Sequence, residues 1–266
     1  MQWDKCALVI TSSVYVNTRY TALLDAGERE RQYFDSLEFY IRETPFQKII
    51  VCDSSGYIYP GSMRWLAEEH HKQLELLSFT GDKTAMQRHG KGYGEGEIMQ
   101  FVLAHSRLLE QVEGFLKVTG RLKLINTEKL LRKASHWQNY FMPVSLIRPR
   151  WLVPPAARPC VEIRVYYTTK DVFKNVLLDA YKKVSDDTTY FLEHAYHDAL
   201  AASAVKLQCF PLAPEITGTS GSNGWTFRER PFWKKLLIRC ILQVGYITPL
   251  YSVTGKNSAK EVAKTR

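Results

Sequence analysis

Between Gly90 and Glu97 the chain reads Gly-Lys-Gly-Tyr-Gly-Glu-Gly-Glu and runs directly into a stretch of apolar-periodic residues. Glycines at every second position let backbone N–H groups approach an anion, and the start of a following helix adds partial positive charge. Lys91 contributes a full charge beside Gly92, Tyr93 and Gly94. Glu95 and Glu97 contribute carboxylates suited to hydroxyl recognition or proton transfer. The segment is not a P-loop, because the GxxxxGK[ST] spacing is absent, and no clear strand leads into it as a dinucleotide-binding turn requires. A flexible turn ahead of an ordinary helix is the plainer reading of the same residues.

A second constellation is Lys117-Val118-Thr119-Gly120-Arg121, two cations around a Thr-Gly turn in an otherwise apolar stretch. Fixed positive charge there would stabilise a departing diphosphate; two solvated surface cations are the alternative. Asp186-Asp187 precedes a predicted helix, where acidic residues commonly act as caps, so capping ranks ahead of metal binding. His194 and His197 are three apart with Asp198 adjacent, and His70 and His71 are neighbours. The HExxH order is missing, and helix-surface histidines explain them. The five cysteines are scattered and form no CxxC pair, which excludes a zinc ribbon or a disulfide framework and fits a reducing cytoplasm.

These residues need a scaffold, and the apolar patterning supplies one. Ala7 to Ile10 reads as a buried strand ending in Thr11-Ser12-Ser13, and the opening residues suit a first strand better than a signal peptide. A helical pattern through Phe34, Leu37 and Ile41 stops before Pro45. Strand Lys48 to Cys52 is capped by Asp53-Ser54-Ser55-Gly56. There follow a helix from Met63 to Gln73, a strand from Leu76 to Phe79, the Gly90–Gly96 loop and a helix through Ile98, Val102 and Leu109. Phe115 to Val118 and Leu122 to Ile125 read as strands, as does Val161 to Tyr167. Helices are expected over Asp171–Lys182, N-capped near Thr169, and from Thr188 to Ala204, with a flexible loop at Gly218–Gly224. Strand–helix alternation of this kind predicts an open, mostly parallel α/β sheet. Ligands of such sheets sit beyond the carboxyl ends of the strands, and Thr11-Ser12-Ser13, Asp53-Ser54 and Lys91–Glu97 all fall on that edge.

In this order the motifs resemble those of bacterial surface-polysaccharide (capsule and O-antigen) glycosyltransferases with a GT-A-like fold, over roughly residues 5 to 225. The matching pieces are Val9 to Ser13, Asp53-Ser54-Ser55-Gly56, Lys91-Gly92-Tyr93-Gly94-Glu95 and Lys117-Val118-Thr119-Gly120-Arg121-Leu122. An acidic-x-Arg strand (Glu162, Arg164) and a Leu-Glu-x-x-Tyr helix (Leu192, Glu193, Tyr196) complete the set. Asp-Ser-Ser-Gly replaces the family's Asp-Ser-Gly, which leaves the role of Gly56 open. The resemblance implies a Rossmann-like sheet flanked by helices over residues 1–227. It also implies sugar transfer from a nucleoside-diphosphate donor, a UDP-sugar first, to a hydroxyl of a lipid-linked or growing glycan. Thr11, Ser12, Ser13, Asp53, Ser54, Lys91, Gly92, Tyr93, Gly94, Glu97, Thr119 and Gly120 would then bind the donor, and Glu162, Arg164 and Tyr196 would face the acceptor. Glu193 is the first candidate for the base, with Glu95, Glu97 and Asp53 as alternatives. Ordinary GT-A enzymes carry a DxD metal motif. Lys117 and Arg121 stand at about that place, so leaving-group stabilisation by cations and no cofactor are expected.

Net charge is +9 overall, yet the stretch from Arg228 to Arg266 holds nine Lys or Arg against two Glu. The body is therefore close to neutral, carries no concentrated basic-aromatic strip, and is not expected to bind nucleic acid. Residues 228–266 interleave Phe232, Trp233, Leu236 and Leu242 with cations in a run too short to span a bilayer. That pattern suits an anionic membrane surface on its cytoplasmic side, or else a C-terminal helix packed on the core. A non-enzymatic RNA- or membrane-binding module and another nucleotide-dependent transferase, such as a methyltransferase, are the competing functions.

Overall fold

The computed structural model describes residues 3–16, 24–135, 138–143, 158–205, 207–220, 224, 226–229, 231–233 and 236. Its frame is the expected α/β sheet. Strands β1 (Cys6–Ser12), β2 (Lys48–Asp53) and β4 (Gly114–Thr119) are almost wholly buried, as their Val, Ile, Leu and Phe runs require of strands covered on both faces. With β3 (Gln73–Ser78) they run parallel in the order β3-β2-β1-β4. Beside β4, strand β7 (Val161–Thr169) runs the other way, and β6 (Asn139–Pro143) and β8 (Leu207–Gln208) return to the common direction. A small antiparallel sheet joins β5 (Leu122–Leu124), β9 (Ile216–Thr219) and β10 (Thr226–Phe227).

Helix α1 (Ala26–Glu43) covers one face. The Asp25 side chain caps it by accepting the Glu28 amide at 2.6 Å, and it ends at Thr44, held extended by Pro45. Its Tyr33, Leu37, Tyr40 and Ile41 join a core with Leu8, Ile10, Val51 and Val118, and α2 (Ser62–Glu69) adds Ala67. The short α3 (Lys83–His89) precedes α4 (Lys91–His105), which covers the other face with Met99 and Val102. Helix α5 (Arg107–Glu110) leads into β4, and α6 (Thr127–Arg132) follows β5. After β1 the chain moves out to β2 and β3, then returns past β1 to build β4. The crevice between the carboxyl ends of β1 and β4 is therefore the switch point where sheets of this kind hold ligands.

Several local expectations change. The glycine-rich segment is no loop. From Lys91 it is already α4, with Gly92, Gly94 and Gly96 buried. A β-carbon on Gly96 would sit 2.1 Å from the Tyr181 side chain, and one on Gly92 3.0 Å from Leu192, so these glycines admit neighbouring elements rather than an anion. The Asp171–Lys182 helix breaks up into α7 (Lys170–Val172), a π-turn (Phe173–Leu177) and a 3-10 turn (Ala180–Lys183), although Thr169 does cap it. The next helix starts at α8 (Leu192–Ala202), four residues later than read, because Thr189 takes a left-handed conformation at φ 56°. Gly218 lies in β9, at φ 115°, where its hydrogen lets the Arg121 carbonyl approach. Most of residues 228–266 lie outside the described residues, including Leu242. Within that stretch the Phe232, Trp233 and Leu236 side chains are exposed. Among the described residues no helix is long and apolar enough to cross a membrane.

Candidate functional site

At the carboxyl end of β1, Ser12 and Thr11 point to opposite faces of the sheet, as strand alternation dictates. Ser12 donates to Asp53 at 2.6 Å and shares a 2.8 Å bond with the Tyr59 hydroxyl. Asp53 is fully buried and also accepts the amides of Val14, Ser55 and Tyr57 and the Ser55 hydroxyl, so both carboxylate oxygens are occupied. The Ser54 backbone amide donates to the Ser12 carbonyl at 3.0 Å. Asp53 thus ties the tips of β1 and β2 together, and its place at the strand end is structural.

Thr11 faces α4. Its hydroxyl donates to Glu95 at 3.5 Å, and the same Glu95 oxygen accepts the Lys117 ammonium. Lys117 also donates to the Thr119 hydroxyl at 3.1 Å and the Ile163 carbonyl at 2.8 Å, which uses all three of its protons. Its side chain is 1% exposed, against 23% for Glu95. The expectation that Lys117 meets a diphosphate is corrected by this geometry: it holds Glu95 instead, leaving the second Glu95 oxygen for the crevice.

Glu193 sits at the start of α8 within electrostatic reach of this pair. Burial pushes its carboxyl above the usual range. Glu95 and Glu162 push the same way, while Lys91 and its own amide oppose them. Glu162 is tied to Arg164 in a two-pronged ion pair, and Arg164 lies over the Phe227 ring at 4.8 Å. Because β7 runs antiparallel, its first residues reach the same edge as the last residues of β4. Tyr196 is core, packed edge-on against Tyr166 and Phe173, and cannot face an acceptor.

Arg121 lies on the α1 side of β4. It is 7% exposed, its guanidinium sits 5.7 Å from the centre of the Tyr33 ring, and its Nε and Nη1 have no hydrogen-bond partner. Gly120 brings it there. The Gly120 amide donates to the Thr11 carbonyl at 2.9 Å, and a β-carbon would collide with that carbonyl and with Tyr33. Arg29, 3% exposed, approaches the same ring from α1 and donates to the carbonyls of Ser13 and Val14, while the Ser13 amide donates to the Tyr33 hydroxyl.

The start of α4 is taken. Asp186 accepts the Lys91 amide at 3.4 Å and fills the space in front of Gly90, so the anion at this helix end is the chain's own. Tyr93 stacks on His89, and Glu97 accepts the Asp82 amide at 3.2 Å, away from Glu95. The structure therefore gathers Thr11, Glu95, Lys117, Thr119, Glu162 and Glu193 on one side of the crevice and Ser13 and Arg121 on the other. It leaves Tyr93 and Glu97 outside, while Lys91 remains within electrostatic reach of Glu193.

Sequence reading missed Arg29 and Tyr33. The signal was their i,i+4 spacing, which puts both on the apolar side of α1 although Arg29 stands in the charged run Glu28-Arg29-Glu30-Arg31. The end of β4 offers a divalent ion only Thr119-Gly120-Arg121, and that donor set does not fit. Among the described residues no group of three His, Cys, Asp or Glu is placed to hold a metal.

No protein-family model matches the chain, nor does any curated protein. Among solved structures it is similar to the glycosyltransferase GlyE of Streptococcus pneumoniae, at 12% identity and a TM-score of 0.47. The match covers 72% of this chain but 42% of that longer one. It is also similar to a 4-diphosphocytidyl-2C-methyl-D-erythritol synthase of Anaerococcus prevotii, at 10% identity and a TM-score of 0.41, covering 91% and 97% of the two chains. A glycosyltransferase involved in glycosylation of the major capsid of PBCV-1 follows at 10% identity and a TM-score of 0.35, covering 70% and 71%. None reaches a TM-score of 0.5, so the chemistry has to be read from the side chains.

Proposed function

We propose that the chain is a nucleotide-sugar-dependent glycosyltransferase whose donor diphosphate lies in the crevice between β1 and β4. One observation carries this reading. At the switch point a buried guanidinium without a partner, Arg121, stands two residues along from Thr119, which touches the Lys117–Glu95 pair. Gly120 and Arg121 form the turn that leaves β4, so a diphosphate beside Arg121 would put an attached sugar near the end of β4, toward Glu95 and Glu193. The acceptor hydroxyl gives its proton to Glu193, its oxygen bonds to the anomeric carbon, and the diphosphate leaves with the bonding electrons toward Arg121. Glu95, held in place by Lys117, is suited to accept hydrogen bonds from sugar hydroxyls. Glu162 and Arg164, at the mouth of β7, line the acceptor side.

The acceptor is a lipid-linked or growing surface glycan, at the inner face of a membrane. Phe232, Trp233 and Leu236 are exposed within the segment that carries most of the excess positive charge, the pattern of an interfacial anchor. Cosedimentation with anionic and neutral vesicles tests this part: equal recovery with both would remove it.

The main reading is tested by thermal shift with UDP, GDP, CMP, S-adenosylmethionine and an RNA oligonucleotide, followed by assay of nucleotide release from the matching nucleotide-sugars. Stabilisation by one nucleotide, and its release only when a glycan acceptor is present, is expected. Salt-sensitive binding of RNA alone, or a response to S-adenosylmethionine alone, would replace the reading with one of its competitors.

A further inference from the structure

We infer that the sugar held beside Glu95 and Glu193 carries no negative charge, so that the crevice takes neutral, hydroxyl-rich sugars and turns away uronic, sialic and other acidic ones. This rests on the nucleotide-donor reading and adds the substrate class to it. What decides the charge is which groups on this bank still have bonding capacity. Lys117, its side chain 1% exposed, spends its three protons on Glu95, the Thr119 hydroxyl and the Ile163 carbonyl. Arg164 turns its Nε and Nη2 to Glu162 and lays its guanidinium over the Phe227 ring. Each of these cations is matched by a carboxylate of the chain itself.

Glu193 is the carboxylate left over. Glu95 and Glu162 both act on it as like charges, and Lys91 opposes them less than Glu95 does. Lys91 is exposed at the start of α4, where solvent screens it. The second Glu95 oxygen and the Glu193 carboxylate therefore meet the sugar as hydrogen-bond acceptors. Sugar hydroxyls can donate to both. An ionised sugar carboxylate has no proton to give, and it brings a further negative charge into a half-buried place where repulsion is stronger than in water.

The experiment is isothermal titration of the full chain, at mildly alkaline pH and fixed ionic strength, with near-isosteric pairs of nucleotide-sugars. The pairs are UDP-glucose with UDP-glucuronate, UDP-galactose with UDP-galacturonate, and GDP-mannose with GDP-mannuronate; for CMP, the sialic acid donor is set against CMP itself. Where the nucleotide binds, the neutral member is expected to bind tighter than the acidic one by roughly 10-fold or more. Glu193→Gln should cut that ratio by about threefold or more, through a gain in affinity for the acidic member, and Lys91→Gln should widen it. A purely structural role for Glu193 would move both members of a pair together and leave their ratio as it was.

Equal binding of the two members by wild type, or tighter binding of the acidic one, would overturn the selectivity and leave the nucleotide-donor reading standing. A ratio untouched by either substitution would overturn the role given to Glu193. Binding of no nucleotide at all would remove the donor reading, and this selectivity with it.

Discussion

Lys117 and Glu95, 22 residues apart in sequence, meet across the join of β4 and α4 as an ion pair whose lysine is fully buried and whose glutamate is part-exposed. Removing one partner strands the other's charge. Lys117→Met should therefore destabilise the fold by about 3–5 kcal/mol, whereas Lys117→Met combined with Glu95→Leu should recover most of it. Urea melting of the three proteins checks this. A single variant as stable as wild type would mean that the pair is not held in solution.

Glu193, the proposed base, would link activity and stability with opposite signs. Its folded carboxyl is raised by burial and by Glu95, so the folded state holds its proton more tightly than the unfolded chain does. The stability it lends is complete in acid, below its ordinary value near 4.5, and is lost as pH rises through the folded value. Glu193→Gln should accordingly be more stable than wild type at neutral pH, with the gap closing in acid. Turnover should fall by about 10²- to 10⁴-fold. A fully active variant would exclude Glu193 as the base.

Asp186 occupies the N-terminal end of α4. Asp186→Ala should cost about 1 kcal/mol. The vacated helix end should then respond to sulfate, raising the melting temperature of the variant more than that of wild type. Equal sulfate responses would show that Asp186 does not act as the resident anion.

Gly96 admits the Tyr181 ring against α4. Despite the higher helix propensity of alanine, Gly96→Ala should destabilise by about 1–3 kcal/mol through overpacking. An increase in stability would instead return the segment to the loop that its composition suggests.

The contrast between what was legible and what was not follows from the range of the interactions. Continuous apolar runs announce β1, β2 and β4, and the polar residues closing them fall at the carboxyl edge of the sheet, because burial on both faces and strand direction are local consequences of sequence. The glycine-rich start of α4 was misread because isolated glycines disfavour helix by about 1 kcal/mol each. Only the distant Tyr181 and Leu192 reveal why glycine is needed there. Lys117 reads as a cation meeting a diphosphate, with a solvated surface cation as the alternative, for the same reason: its partners come from α4 and β7. Arg29 was hidden in a charged run whose other members are half-buried or exposed, and nothing short of the fold places it against Tyr33.

Asp53 has a consequence for motion. One carboxylate fastens the turns that follow two neighbouring strands, through Ser12 and Val14 on one side and Ser55 and Tyr57 on the other. Neither turn can loosen alone without abandoning a buried negative charge. The rim on the β1–β2 side of the crevice therefore opens as one cooperative unit, and its amides should exchange with deuterium at a common rate. Adjustment to ligands of different size is left to the opposite bank, where β7 and α8 meet.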